Sequence, residues 1–437
     1  MPALTLIIRL RIDPRIPIGV SACVSQLRNL GTEPLGYNRL VSLTMSDRGD
    51  VLNIPSAARA LSGLLISGLL SGFLGAILPA WGYHLTSEFS TVGNYFLSMS
   101  VGVILSTEVA GRLLLKRGVG FLLVTACSLA CAALLSLAFV PAAAPAWWRM
   151  AGVLAIGFAS GLLNTGVFHA ISPSYDRDPA ATANLGGISF GMGCLLVTLL
   201  VAGTFYAYTV TSILVLIAVI PGFFSIWYAR SSFVAPIVVK QPSLAQLFRD
   251  LRTPGAILFA LLLFFQFGNE WSIAGWLPIF LIRRLGISPS SSLLLLTVYW
   301  LALLVGRLAA VALLSRIKHA KFLLASAGAA VFGCLILLAT NNEFGALIGT
   351  LLVGCGFATI YPLIAERIGR EFPYFQPGFF SGIFSIALVG GMLAPWTLGH
   401  AADVWGVGVV MALPLAGTCM VFVLVLLVWL EAKIRLG

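Results

Sequence analysis

The chain has 437 residues, of which 59% are hydrophobic and only 9% charged, with a mean hydropathy of +1.01 and a formal net charge of +11. No soluble domain of this size can hide that much apolar surface. The apolar residues gather into stretches of about 20, the length that crosses a bilayer as a helix satisfying its own backbone hydrogen bonds. The chain therefore reads as an all-α membrane protein.

In chain order the spans are expected at 61–83, 92–114, 119–140, 149–170, 184–203, 206–229, 256–281, 290–314, 321–340, 344–365, 377–400 and 405–430. Ahead of them, residues 1–55 hold Arg9, Arg11, Arg15, Arg28, Arg39, Pro14 and Pro17 and no spanning run. Leu4-Thr5-Leu6-Ile7-Ile8 is cut off by Arg9 and is too short for a signal sequence, so a disordered cytoplasmic extension is expected. Met45 opens a more ordinary polar leader and is an alternative start. The longest break between spans, 230–254, separates six spans (56–229) from six (255–437). No other connection could hold a soluble catalytic domain, so no enzyme activity is expected.

With both termini cytoplasmic, nearly all of the 26 Lys and Arg fall on the cytoplasmic side. The exceptions are Arg149, Arg283, Arg284 and the in-span Arg307. That is the positive-inside asymmetry of a multi-pass protein in a cell membrane. The basicity orients the chain in the lipid bilayer, and nucleic acid is not an expected partner. The seven cysteines lack metal-ligand spacing and read as small apolar packing residues. No P-loop is present, and no metal or cofactor is expected.

The halves repeat weakly. Gly111-Arg112 matches Gly306-Arg307, Gly187-Ile188-Ser189 matches Gly382-Ile383-Phe384, Gly152 and Gly157 match Gly349 and Gly354, and Leu78-Pro79 matches Leu277-Pro278. Two repeated halves enclose a midplane site and rock about it, which is alternating access.

This six-plus-six pattern with a basic middle loop resembles the major facilitator superfamily. Its motif between spans 2 and 3 is similar to Gly111-Arg112-Leu113-Leu114-Leu115-Lys116-Arg117-Gly118-Val119-Gly120. Here Leu115 replaces the motif's Asp, and Val119-Gly120 replaces the last basic pair. The resemblance implies twelve transmembrane helices in two pseudo-symmetric halves and a monomeric transporter of a small-molecule solute. Gly268-Asn269-Glu270-Trp271, Gly275-Trp276-Leu277-Pro278, Tyr299-Trp300-Leu301, Gly161-Leu162-Leu163-Asn164-Thr165 and Gly354–Pro362 resemble the fucose–proton symporter branch, which implies sugar–proton symport. That branch's proton-carrying carboxylates in helices 1 and 4 have no counterpart here.

Only two carboxylates lie inside spans, and such residues face the bundle and usually matter. Glu270 sits about 14 residues into span 7, ~21 Å from its start. Gln266, Asn269 and Glu270 are spaced i, i+3, i+4 and share a face, with Trp271 nearby. Amide and carboxylate groups suit hydroxyls, and a flat ring suits the apolar face of a sugar-like solute. Glu270 is also the candidate proton carrier. The alternative is that it only ties helices together. Asn164, Thr359 and Tyr361 complete the candidate binding set. Glu108 and Arg112, at i, i+4, suggest an ion pair at the cytoplasmic gate. Arg307 falls ~11 Å below Glu270 by rise per residue, too far to pair with it, so a gating contact to Glu366 is expected instead. Export of apolar or drug-like compounds and a non-transporting scaffold or sensor are the alternative functions.

Overall fold

A computed structural model describes residues 54–141, 144–177, 179–233, 254–313, 319–371 and 382–436. The expected N-terminal extension, apart from residues 54–55, which begin the first helix, and most of the central linker lie outside the described residues. The described residues fold into helices α1 (Ile54–Ile77), α2 (Phe89–Ala138), α3 (Ala146–Arg177), α4 (Pro179–Thr204) and α5 (Val210–Ala229). The second half follows as α6 (Pro254–Leu285), α7 (Pro289–Leu313), α8 (His319–Ala339), α9 (Glu343–Glu371), α10 (Gly382–Trp405) and α11 (Val409–Leu436).

The long α2 is two spans. Gly118 stands at φ 78° and ψ 177° inside it, a conformation that a residue with a Cβ rarely adopts. The arms 89–117 and 119–138 are therefore separate crossings joined without a loop, which brings the count to twelve. α3, α4, α6 and α9 outrun their expected spans by several residues, because backbone groups at a helix end stay satisfied as long as the helix continues, whereas α5 starts four residues later than expected, at Val210. α1 is shifted toward the N-terminus relative to the expected 61–83. It ends at Ile77, where Pro79 opens a turn closed by the Tyr83 N–H on the Leu78 carbonyl at 3.2 Å.

The two halves repeat the same helix contacts through glycine. In the first, Gly68 and Gly193 bring α1 and α4 into backbone contact, and Gly102 and Gly157 do so for α2 and α3. In the second, Gly390 presses α10 onto the Phe264 carbonyl of α6, and Gly354 presses α9 onto the Tyr299 carbonyl of α7. Lipid offers helices no hydrophobic drive to associate, so close backbone approach at small residues supplies it.

Among the described residues the halves approach closely toward the end carrying 78–88 and 406–408. A Cβ on Gly75 would fall 2.1 Å from the Ala274 carbonyl oxygen, and one on Gly399 would fall 2.5 Å from that of Phe89. The Phe96 ring packs on Trp276 at 6.0 Å, and the Trp396 indole donates to Asn94 Oδ1 at 3.1 Å. That end is closed. A cavity between the halves begins beneath it and extends toward the other end.

Candidate functional site

The cavity holds about 270 Å³. From the first half, Ser71 on α1, Met99 and Thr107 on α2, and Ser160, Asn164 and Thr165 on α3 face it. α4 adds Phe190. From the second half come Phe267, Glu270 and Trp271 on α6, Arg307 on α7 and Tyr361 on α9.

The first-half wall is a hydroxyl–amide strip. Ser67 Oγ donates to Asn164 Oδ1 at 2.7 Å and lies 2.9 Å from Ser160 Oγ, which in turn is 3.4 Å from Ser71 Oγ. Two i, i+4 pairs make this strip, Ser67 with Ser71 and Ser160 with Asn164, each stacked one turn apart on its helix face. Asn164, singled out in the sequence as a candidate, lines the cavity. Ser71 and Ser160 were not singled out, and their hydroxyl spacing within apolar spans is the signal that would have found them.

The second-half wall is ionic and aromatic. Glu270 Oε1 lies 3.8 Å from Arg307 Nη2. This overturns the expected separation of the two residues. Side chains lean toward the N-terminus of their own helix, and α6 and α7 run in opposite directions, so Glu270 and Arg307 lean toward one another. Counting rise along the axis ignores that convergence. Arg307 Nη1 also donates to the Gly187 carbonyl of α4 at 2.6 Å, a bond from one half to the other. A Cβ at position 187 would sit 2.6 Å from that nitrogen, so glycine makes the room. The expected gating contact from Arg307 to Glu366 is not the one observed. Glu366 Oε2 lies 3.7 Å from His319 Nε2 instead.

Trp271 meets Phe190 edge to face at 6.0 Å across the halves, and within the second half Tyr361 meets Phe267 edge to face at 5.3 Å. The cavity face of α6 is thus Phe267, Glu270 and Trp271, spaced i, i+3, i+4. The expected stripe of Gln266, Asn269 and Glu270 is rotated from it by about one residue. Gln266 and Asn269 are buried but do not line the cavity. Asn269 packs on α11, where a Cβ on Gly417 would fall 2.2 Å from its Oδ1. Two stripes of period 3.6 can share Glu270, and the sequence does not say which one faces the partner half.

Thr359 is also away from the cavity. Its hydroxyl donates to Ser326 Oγ at 2.7 Å, a tie between α9 and α8. Glu108 and Arg112 form the i, i+4 pair at 2.8 Å, with side chains 71% and 74% exposed respectively.

Twelve helices in two repeated halves around a central cavity are the architecture of a multi-pass membrane protein. The model of the Major Facilitator Superfamily matches residues 60–395, and the chain belongs to that superfamily. An uncharacterised transporter of this type from Yersinia pestis is 26% identical over 150 residues, a stretch that covers 34% of this chain and 39% of that protein. Among solved structures, a nucleoside transporter superposes with a TM-score of 0.64 at 15% identity, covering 85% of this chain and 99% of its own. The fucose:proton symporter of Escherichia coli gives 0.57 at 18% identity, covering 86% and 98%. These likenesses establish the fold. Membership of the superfamily supports secondary transport of small-molecule solutes.

Proposed function

We propose that the protein moves a small polar, sugar-like solute across the cell membrane by alternating access, with Glu270 carrying a coupled proton. One observation carries this reading: the strip of Ser71, Ser160 and Asn164 faces Glu270 and Trp271 across one cavity between the halves. Hydroxyls and an amide on one wall exchange hydrogen bonds with solute hydroxyls, and an indole on the other covers an apolar ring face. Glu270 is the one carboxylate lining the cavity among the described residues. With both termini in the cytoplasm, the closed end faces outward and the cavity extends inward.

The test is Glu270→Gln in proteoliposomes, assayed with labelled monosaccharides and their derivatives. The change keeps shape and hydrogen bonding and removes the titratable charge. Gradient-driven accumulation is expected to disappear while solute exchange survives. Accumulation at the wild-type level would reject the proton-carrying role.

A second reading, export of compounds with larger apolar surface, is favoured by Met99, Val103, Phe168 and Leu388 on the same walls. Competition of such compounds with monosaccharides in that assay separates the two.

A further inference from the structure

Glu270 and Arg307 are the only charged side chains lining the cavity among the described residues. The Arg307 side chain is more than nine-tenths buried, yet its donors are poorly used. Nη1 bonds to Gly187, Nε has no hydrogen-bond partner, and Nη2 stands 3.8 Å from Glu270. A charge-assisted N–H···O bond closes to about 2.7–2.9 Å, so the Glu270 contact is an ion pair without a hydrogen bond. A buried guanidinium presents a planar fork of five N–H donors that matches a carboxylate in two-point fashion. Here most of that fork is unclaimed, and it borders a cavity whose other wall offers hydroxyls and an amide.

We propose that the transported solute bears a carboxylate, and that this carboxylate binds Arg307 in place of Glu270 once Glu270 takes up a proton. The solute class is a hydroxy-carboxylate of sugar-acid type, with its hydroxyls on Ser71, Ser160 and Asn164 and its carboxylate on Arg307. This deepens the reading above and rests on it. The charge balance is simple. With Glu270 ionised, the pair sums to zero and the site has no use for an anion. With Glu270 protonated, the cavity holds one uncompensated positive charge in a medium of low dielectric, where a lone charge is costly. One solute carboxylate restores neutrality. Proton and anion therefore load together, and the cycle moves no net charge. The other titratable groups around Glu270 are Tyr299 on α7, Tyr361 on α9 and Cys194 on α4, none of which brings a second cation.

The experiment uses the full chain in proteoliposomes with an imposed pH gradient. The probes are labelled gluconate, galactonate and glucuronate, their neutral counterparts glucose and galactose, and glucose 6-phosphate. At least one carboxylate is expected to accumulate, its neutral counterpart is not, and an imposed membrane potential should leave the rate unchanged. Arg307→Lys keeps the charge but loses the fork, and should weaken carboxylate binding by tenfold or more. Glu270→Gln removes the competing anion and should tighten carboxylate binding while ending the response to the pH gradient. Binding is read by thermal shift on purified protein, so a variant that fails to fold is recognised directly. Accumulation of neutral sugars with the carboxylates ignored would overturn this inference and leave the proposed function standing. Accumulation of none of the probes would overturn both. Uptake of glucose 6-phosphate alone, or unchanged carboxylate binding in a folded Arg307→Lys protein, would overturn the carboxylate assignment.

Discussion

Asp403, near the end of α10 in the second half, caps the helix that begins at Phe89 in the first. Its Oδ1 accepts from the Phe89 amide and its Oδ2 from the Ser90 amide, both at 3.0 Å. The residue in the capping position of that helix, Glu88, makes no such bond with its side chain. The orphan amides of one half are thus satisfied only while the halves are together at this end. Loss of an N-cap costs about 0.5–2 kcal/mol, and here that cost is tied to the conformational equilibrium. Asp403→Ala should shift the transporter toward opening at this end. A cysteine at Ser71 in a cysteine-free background should then react several-fold faster with an impermeant thiol reagent added from that side. Asp403→Asn, which keeps one acceptor, should fall between. Unchanged labelling in Asp403→Ala would show that the contact does not hold the end closed.

Gly75 makes the same closure sterically. With the Ala274 carbonyl oxygen 2.1 Å from where its Cβ would lie, any larger residue holds α1 and α6 apart. Backbone cannot yield as a side chain can, so Gly75→Val should keep this end open. Transport should fall to a small fraction of wild type, while solute still binds from the side now exposed. Binding by thermal shift and transport by uptake are the two measurements. Wild-type transport in Gly75→Val would mean that the helices do not approach this closely in the working cycle.

The fold was legible because lipid leaves the chain few options. Span length, the break at 230–254 and the repeated glycines fixed twelve helices in two halves without any tertiary information. The site was legible only in part. Glu270, Trp271, Asn164 and Tyr361 do face the cavity, because charged and polar groups in a span turn away from lipid. Whether such a group turns toward the cavity or toward a neighbour in its own half depends on helix rotation, which residue type does not encode. Asn269 and Thr359 met neighbours instead, at Gly417 and Ser326. Arg307 was misjudged for a different reason: helix directions decide whether two side chains converge, and axial height alone leaves that out.

The orientation proposed for the chain rests on its Lys and Arg bias and can be tested separately from the site. Single cysteines at Ser243 in the central linker and at Asn342 between α8 and α9 should label from opposite faces of the membrane, Ser243 from the cytoplasm. Labelling of both from one face would reject the orientation and would require a different number of crossings between them.

Asn164 and Thr359 test the division between cavity and packing, since both are polar side chains at mid-helix with a single hydrogen-bonded partner in a neighbouring helix. Asn164 accepts from Ser67 and lines the cavity, where its amide N–H groups are available to a solute. Thr359 is 2% exposed and its donor is spent on Ser326. A hydrogen bond between helices in a bilayer is worth about 0.6 kcal/mol on average, so each tie alone should cost a similar small amount of thermal stability when removed. The difference lies in transport. Asn164→Ala should also lose a solute contact of about 1 kcal/mol and raise KM roughly fivefold, with kcat less affected. Thr359→Val, nearly isosteric, should leave KM and kcat at wild-type values. Purified proteins compared for thermal stability and for uptake kinetics on the same solute give both readouts. Equal KM effects in the two variants would show that the cavity wall has been drawn in the wrong place. A KM effect in Thr359→Val alone would return Thr359 to the binding set and move Asn164 out of it.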